Sequence, residues 1–182
     1  MELFEAIEKR HTYRSGYAQG EVPRDHLRQI VDAGIRAPSA HNNQSTSFII
    51  VDEPELLESV LACVSKAKYL EGARAAIVVL MDPKPAPGKD IAFGVEDYAA
   101  AVENMLLAIT ALGYATVWTD GALRRHQAAE RIATLLGVPD SLLVRVLLPI
   151  GVPAKAVKQR KKKPFQERAF WNRYGAGDAT AN

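Results

Sequence analysis

Residues 91–112, IAFGVEDYAAAVENMLLAITAL, form the longest helical candidate of the chain. Alanine and leucine dominate and charges are few, so a helix here is expected to be buried on most sides and approached closely by its neighbours. Gly113 is placed to cap it. To either side lie two apolar runs, Ala75–Met81 and residues 142–150, which read as buried strands. Residues 47–51 and 115–118 have the same character over shorter lengths. Between these runs, apolar residues recur at helical spacing: Leu3, Phe4 and Ile7 near the start, then Leu27, Ile30, Val31 and Ile35 after Pro23. Leu57, Val60, Leu61 and Val64 mark a further helix over residues 54–65, and residues 122–136, closed by Gly137, another. Residues 82–90, with three prolines and a glycine, form an irregular connection that reads equally as a lid or as a plain loop. Strands separated by helices predict a layered α+β or α/β domain, but periodicity supplies neither strand order nor function.

A chain of 182 residues, 48% hydrophobic and 24% charged, has the composition of one folded globular domain and not of a disordered or fibrous polypeptide. A net charge of +2 does not by itself call for a nucleic-acid partner, although the basic residues crowd towards the end. Cys63 is the sole cysteine, which excludes an internal disulfide and a cysteine-based metal cluster. Its apolar helical surroundings predict a small buried side chain, not a nucleophile. The opening MELFEAIEKR is not a basic leader ahead of an apolar stretch, and no apolar run approaches the roughly 20 residues of a membrane helix. The expectation is a cytoplasmic protein with no membrane partner.

Five polar constellations could carry chemistry. Arg10, His11, Thr12, Tyr13 and Arg14 place two guanidinium groups, a hydroxyl and an imidazole just past a helix end, which suits a phosphate ligand or makes a solvated turn. The loop from Ala37-Pro38-Ser39-Ala40-His41 to Asn42-Asn43-Gln44 offers amide groups that suit a planar heterocycle, or ordinary turn chemistry. On the long helix, Glu96, Asp97, Glu103 and Asn104 interrupt an apolar surface, so they either bond locally or face a second subunit. Trp118-Thr119-Asp120-Gly121 ends a short strand, where the glycine permits close approach of a ligand or a simple turn. Lys158-Gln159-Arg160-Lys161-Lys162-Lys163 is the densest charge, able to hold a phosphate, coat a nucleic acid or stay solvated. Phe165, Phe170, Trp171 and Tyr174 follow at a spacing that fits a packed helix. A glycine-rich phosphate loop, a serine elbow and a helical pair of metal-binding histidines are all missing, so the harder chemistry of an enzyme would fall to a cofactor.

In order and spacing these segments resemble the nitroreductase family of flavoproteins, from Phe4 to Tyr174. The joint match is Arg-x-Thr-x-Arg near the start, Ala-Pro-Ser-x-x-Asn-x-Gln before a strand, Asp and Asn seven apart on the central helix, and Pro-x-Gly before a basic tail. The resemblance implies an α+β layered sandwich, its central sheet mixed but mainly antiparallel and flanked by helices. It also implies a homodimer with FMN at the subunit interface, and a single FMN-binding domain over residues 1–182 whose tail, from about 152, extends over the partner. Arg10, His11, Thr12 and Arg14 would then bind the flavin, Arg10 at the phosphate and Arg14 nearer the pyrimidine edge, with Arg160 and Lys162 as further phosphate cations. Pro38, Ser39 and Ala40 would come from the other subunit, with Asn42 and Gln44 as polar contacts. Trp118, Asp120 and Gly121 would line the ring, the Asp120 amide beside N5. No catalytic side chain is assigned.

The implied activity is hydride transfer from NADH or NADPH through the flavin to a small planar acceptor such as a nitroaromatic or quinone. Dehalogenation, desaturation, flavin fragmentation and non-enzymatic flavin binding share the same resemblance, and a nucleic-acid binder built on residues 158–163 is the reading from another class. Many family members carry Pro-Trp after the glutamine, where this chain has Ser45-Thr46.

Overall fold

The computed structural model describes residues 1–64 and 67–176. Its layering follows from strand β2 (Ala75–Met81), in which all seven residues are buried. A strand covered on both faces must satisfy its backbone through neighbours on both edges. β1 (Thr46–Val51) and β4 (Leu143–Gly151) do so, each antiparallel to β2, and β3 (Ala115–Thr116) adds to the far side of β4. The sheet order is β1-β2-β4-β3, and every pairing of these strands is antiparallel.

Side chains alternate across β2 as the pleat requires. Ala75, Ile77, Val79 and Met81 join one core with α2 (Arg24–Ile35) and α4 (Gly94–Ala111). Ala76, Val78 and Leu80 join the other with α3 (Pro54–Val64) and α5 (Ala128–Leu136). α1 (Leu3–Lys9) packs on α4 outside these layers. The result is the flanked sheet expected of an α+β sandwich. The pairing of β2 with β4 shifts register between Val79 and Leu80, which face Val146 and Val144. Arg145 is left as the bulged residue, and the bulge lets Val144 and Val146 enter opposite cores although they are two residues apart.

Four expectations are corrected. β3 ends at Thr116 instead of residue 118, and contact with β4 resumes only as a bridge between Thr119 and Leu147. The same register would set Val117 against Pro149, which has no N–H to donate and whose carbonyl already accepts the Tyr17 hydroxyl at 3.1 Å. α5 begins at Ala128, not 122, because His126 and Gln127 adopt positive φ (52° and 53°) and break the helix there. The tail aromatics do not form a helix: they carry one short 3₁₀ turn, Phe165–Glu167, and Tyr174 is 94% exposed. Cys63 is half-buried, its thiol donating to the Ser59 carbonyl at 3.3 Å. α4 starts at Gly94, where an added Cβ would lie 2.8 Å from Met81. Gly113, at φ +83°, follows its end, and Gly137, at φ +66°, caps α5 as expected. Ser65, assigned to the third helix by spacing, lies outside the described residues. Among the described residues no helix is long and apolar enough to cross a membrane.

The loop ahead of β1 is held by the buried side of α4. Asp97, 5% exposed, accepts the Ala40 amide at 2.9 Å and the Ser45 hydroxyl at 2.6 Å. Asn104, two turns on, donates to the Ala33 carbonyl at 3.1 Å and ties α4 to the end of α2. These bonds support a strained segment: His41, Asn42 and Gln44 have φ of 54°, 54° and 49°, a region that costs about 1–2 kcal/mol per non-glycine residue. Asp97→Ala should therefore destabilise the protein by about 2–4 kcal/mol in urea unfolding, because it strands a buried hydroxyl and an amide. Asp97→Asn, which keeps an acceptor, should cost less, and wild-type stability in Asp97→Ala would show that the loop is held otherwise.

Candidate functional site

The segment after α1 runs extended, so its side chains alternate. Tyr13 turns inward and is fully buried, while Thr12 and Arg14 face out. The Tyr13 amide donates to the Thr116 carbonyl at 3.0 Å, and its hydroxyl donates to the Gly16 carbonyl at 3.0 Å while accepting the Lys155 amide at 3.3 Å. Tyr17 repeats the pattern against the end of β4, pairing with Pro153 across an isolated bridge. Its ring leaves no room for a Cβ at Gly151, which would sit 2.8 Å away. Burial pushes the Tyr17 phenol well above its ordinary pKa, so it stays a neutral donor to Pro149. Pro-x-Gly before the basic tail is thus explained from within: Pro149 supplies the acceptor and Gly151 the space that seat Tyr17.

These contacts lay the start of the tail along the N-terminal segment. The Ala18 amide donates to the Val152 carbonyl at 2.9 Å, and the Gln159 side chain donates to the carbonyls of Arg10 at 2.6 Å and Ile7 at 3.2 Å. Two cationic stretches from opposite ends of the chain consequently line one cleft of about 390 Å³. Arg10, His11, Thr12 and Arg14 stand on one wall, with Lys155, Lys158, Arg160 and Lys162 on the other. Arg10 is partly neutralised by Glu103 of α4, Nε to Oε1 3.1 Å. The His11 ring nitrogen Nδ1 lies 2.8 Å from the Lys9 carbonyl, which fixes the ring at the mouth.

The remaining expected residues do not line this cleft within one chain. Pro38, Asn42 and Gln44 are exposed and Ser39 and Ala40 half-buried in the loop held by Asp97. There the Ser39 hydroxyl accepts the Gln44 amide at 3.0 Å. Trp118 is half-buried against Tyr98, ring centroids 6.4 Å apart, and the Arg145 guanidinium lies 5.6 Å from the same Tyr98 ring. The bulged Arg145 therefore brings a guanidinium to the ring that Trp118 packs against. The Asp120 carboxylate is forked by Arg124 at 2.8 and 2.9 Å. Among the described residues the Asp120 N–H donates to no backbone acceptor, and a Cβ on Gly121 would meet nothing within 4 Å. A free N–H beside open space can donate to the edge of a ligand ring.

Sequence reasoning gave no role to several of the residues that build these sites. Tyr13 and Tyr17 act through burial and Gln159 through contacts some 150 residues away in the chain, which no local pattern reports. Ser45 stood only as a departure from Pro-Trp, yet its hydroxyl is the second anchor of the loop.

Comparisons with known proteins agree with this architecture. The nitroreductase family model matches residues 7–152. A protein of Archaeoglobus fulgidus, provisionally named NADH dehydrogenase/NAD(P)H nitroreductase, is 34% identical over 75% of this chain and 78% of its own. Another of that name from Methanothermobacter thermautotrophicus is 32% identical over 85% and 79%. A solved structure from Bacteroides thetaiotaomicron, of the same provisional name, superposes with a TM-score of 0.80 at 27% identity, over 94% of this chain and 98% of its own. An extended family match and relatives above 30% identity leave one conclusion: the chain belongs to the nitroreductase family.

Proposed function

We propose that this protein is an FMN-dependent oxidoreductase that uses NADH or NADPH to reduce a small planar acceptor, such as a nitroaromatic or a quinone. The observation that carries the reading is the cleft of about 390 Å³ where Arg10 and Arg14 meet Arg160 and Lys162. Its donor set fits a phosphate monoester: guanidinium forks for paired oxygens, a lysine point charge and the Thr12 hydroxyl. The names of the two archaeal relatives support a nicotinamide as reductant.

When bound, FMN supplies two-electron exchange between a nicotinamide and a second acceptor. The chain's own residues bind and orient. Arg10, Arg160 and Lys162 would neutralise the phosphate, and Glu103 pairs with the Arg10 guanidinium from α4. Arg14, with His11 and Thr12, would serve the pyrimidine edge, where a fixed positive charge favours electron-rich states of the ring. The Asp120 N–H is a donor that cannot titrate and would serve the N5 edge of the ring, with Trp118 and Gly121 as the adjoining surface. The Arg124 fork turns the Asp120 carboxylate aside, so its negative charge does not oppose that role.

The reading includes a homodimer, in which Pro38, Ser39 and Ala40 of the partner subunit, with Asn42 and Gln44 of the same loop, complete the flavin site. Two features support it. That loop and the cationic cleft are separate within one chain, and the tail beyond residue 152 exposes Phe165, Phe170, Trp171 and Tyr174. Leu3, Phe4 and Ile7 on α1 are exposed as well. Apolar surface of this kind calls for a cover.

Purified protein should be yellow, with flavin absorbance that bleaches under anaerobic NADH or NADPH and returns on adding a quinone; a colourless protein that cannot be loaded with FMN would refute the proposal. Arg10→Ala combined with Arg160→Ala should weaken FMN affinity by about tenfold or more, read by flavin retained after dialysis. Undiminished retention would mean that the phosphate sits elsewhere. Sedimentation should give twice the chain mass of 19.9 kDa, and a monomer that still holds flavin would remove the interface from the reading.

A further inference from the structure

The cationic cleft carries more charge than one phosphate can use. Six cations line it: Arg10, Arg14, Lys155, Lys158, Arg160 and Lys162. Among the described residues only Arg10 has a carboxylate partner, Glu103. With Glu103 cancelling one charge and a phosphate monoester roughly two, about three positive charges remain uncompensated within a space of about 390 Å³. Like charges gathered this closely, largely unpaired and open to solvent, make a field that attracts anions.

The surplus stands on fixed backbone. The Lys155 amide is bonded to the buried Tyr13 hydroxyl, and Lys158 precedes Gln159, whose side chain is bonded to the carbonyls of Ile7 and Arg10. Both lysine side chains are exposed, so an incoming ligand can reach them. They are thus presented from an anchored wall, next to the positions that serve the FMN phosphate.

On the reading proposed above, we infer that Lys155 and Lys158 form a second phosphate subsite, which takes the ribose 2′-phosphate of NADPH and makes NADPH the preferred reductant over NADH. The two nucleotides differ only in that phosphate monoester, so a subsite of this charge bears directly on the choice between them. Lysine suits the task because its ammonium is a point charge on a flexible stem, able to engage the phosphate and release the oxidised nucleotide after turnover.

The test compares wild type with Lys155→Gln/Lys158→Gln, both loaded with FMN. Wild type should show kcat/KM for NADPH above that for NADH by about fivefold or more, and the double variant should lose most of that ratio. Independently of turnover, adenosine 2′,5′-bisphosphate should bind the wild type about fivefold tighter than AMP by calorimetry, with the difference gone in the variant. Equal use of the two reductants by a flavin-loaded protein overturns the inference and leaves the flavin reading intact. A preference that survives the double substitution also overturns it, as does loss of flavin from the variant, which would assign the lysines to the FMN phosphate. A protein that cannot be loaded with flavin refutes the broader reading, and the calorimetric comparison still decides whether the subsite exists.

Discussion

Water cannot reach the peptide groups of β2, and that single constraint shapes the rest of the chain. With all seven of its side chains buried, each amide and carbonyl from Ala75 to Met81 must pair with β1 or β4, or remain unsatisfied at a cost of about 1–3 kcal/mol. Both faces of the sheet are filled by helices, so ionisable groups have little place at its centre. Polar residues accumulate instead where the backbone leaves the layers: after α1, in the loop before β1, in the turn after β3 and along the tail beyond β4. The candidate site is assembled at these exits, and the sheet sets the distances among them.

Bringing six cations together opposes folding, and something stronger must hold the two walls of the cleft. The opposing force comes from two buried tyrosines and one amide side chain. Tyr13 and Tyr17 bury aromatic surface with their hydroxyls bonded, to Gly16 and Pro149 respectively, and Gln159 ties the tail to the end of α1. Each net hydrogen bond contributes about 1 kcal/mol and each buried aromatic ring more. Exposed like charges in water repel by amounts of similar size and are screened by salt. The cleft can therefore stay open and charged without a ligand, ready for an anion.

Long apolar runs were legible from the residues alone. β2, β4 and the body of α4 announce themselves because burial on both faces leaves no polar alternation to misread. What was not legible depends on partners distant in sequence. The truncation of β3 needs Pro149 to stand opposite Val117, a matter of register; the late start of α5 needs left-handed backbone at His126 and Gln127, which helical spacing alone does not report. The aromatic tail reads as a helix by spacing, yet a helix needs a surface to bury against, and these side chains are exposed. For the site, composition suggested phosphate chemistry at each end of the chain, but only the family resemblance joined the ends. Asp97 was legible as a buried acid needing partners, whereas its partners, Ala40 and Ser45, were not.

α4 contacts both candidate segments of the chain. Asp97 holds the loop from Pro38 to Ser45, and Glu103, on the same rigid element about 9 Å further along, holds Arg10 at the cleft. The Ser45-Thr46 departure from Pro-Trp fits that design, since a serine hydroxyl gives the loop a bonded anchor on α4 where proline would restrict the backbone without bonding it. The tail adds a second link. It supplies Lys155, Lys158, Arg160 and Lys162 to the cleft, and a few residues later its aromatic side chains stand exposed. One short segment thus carries both the cations of the cleft and the aromatic side chains that stay uncovered within a single chain.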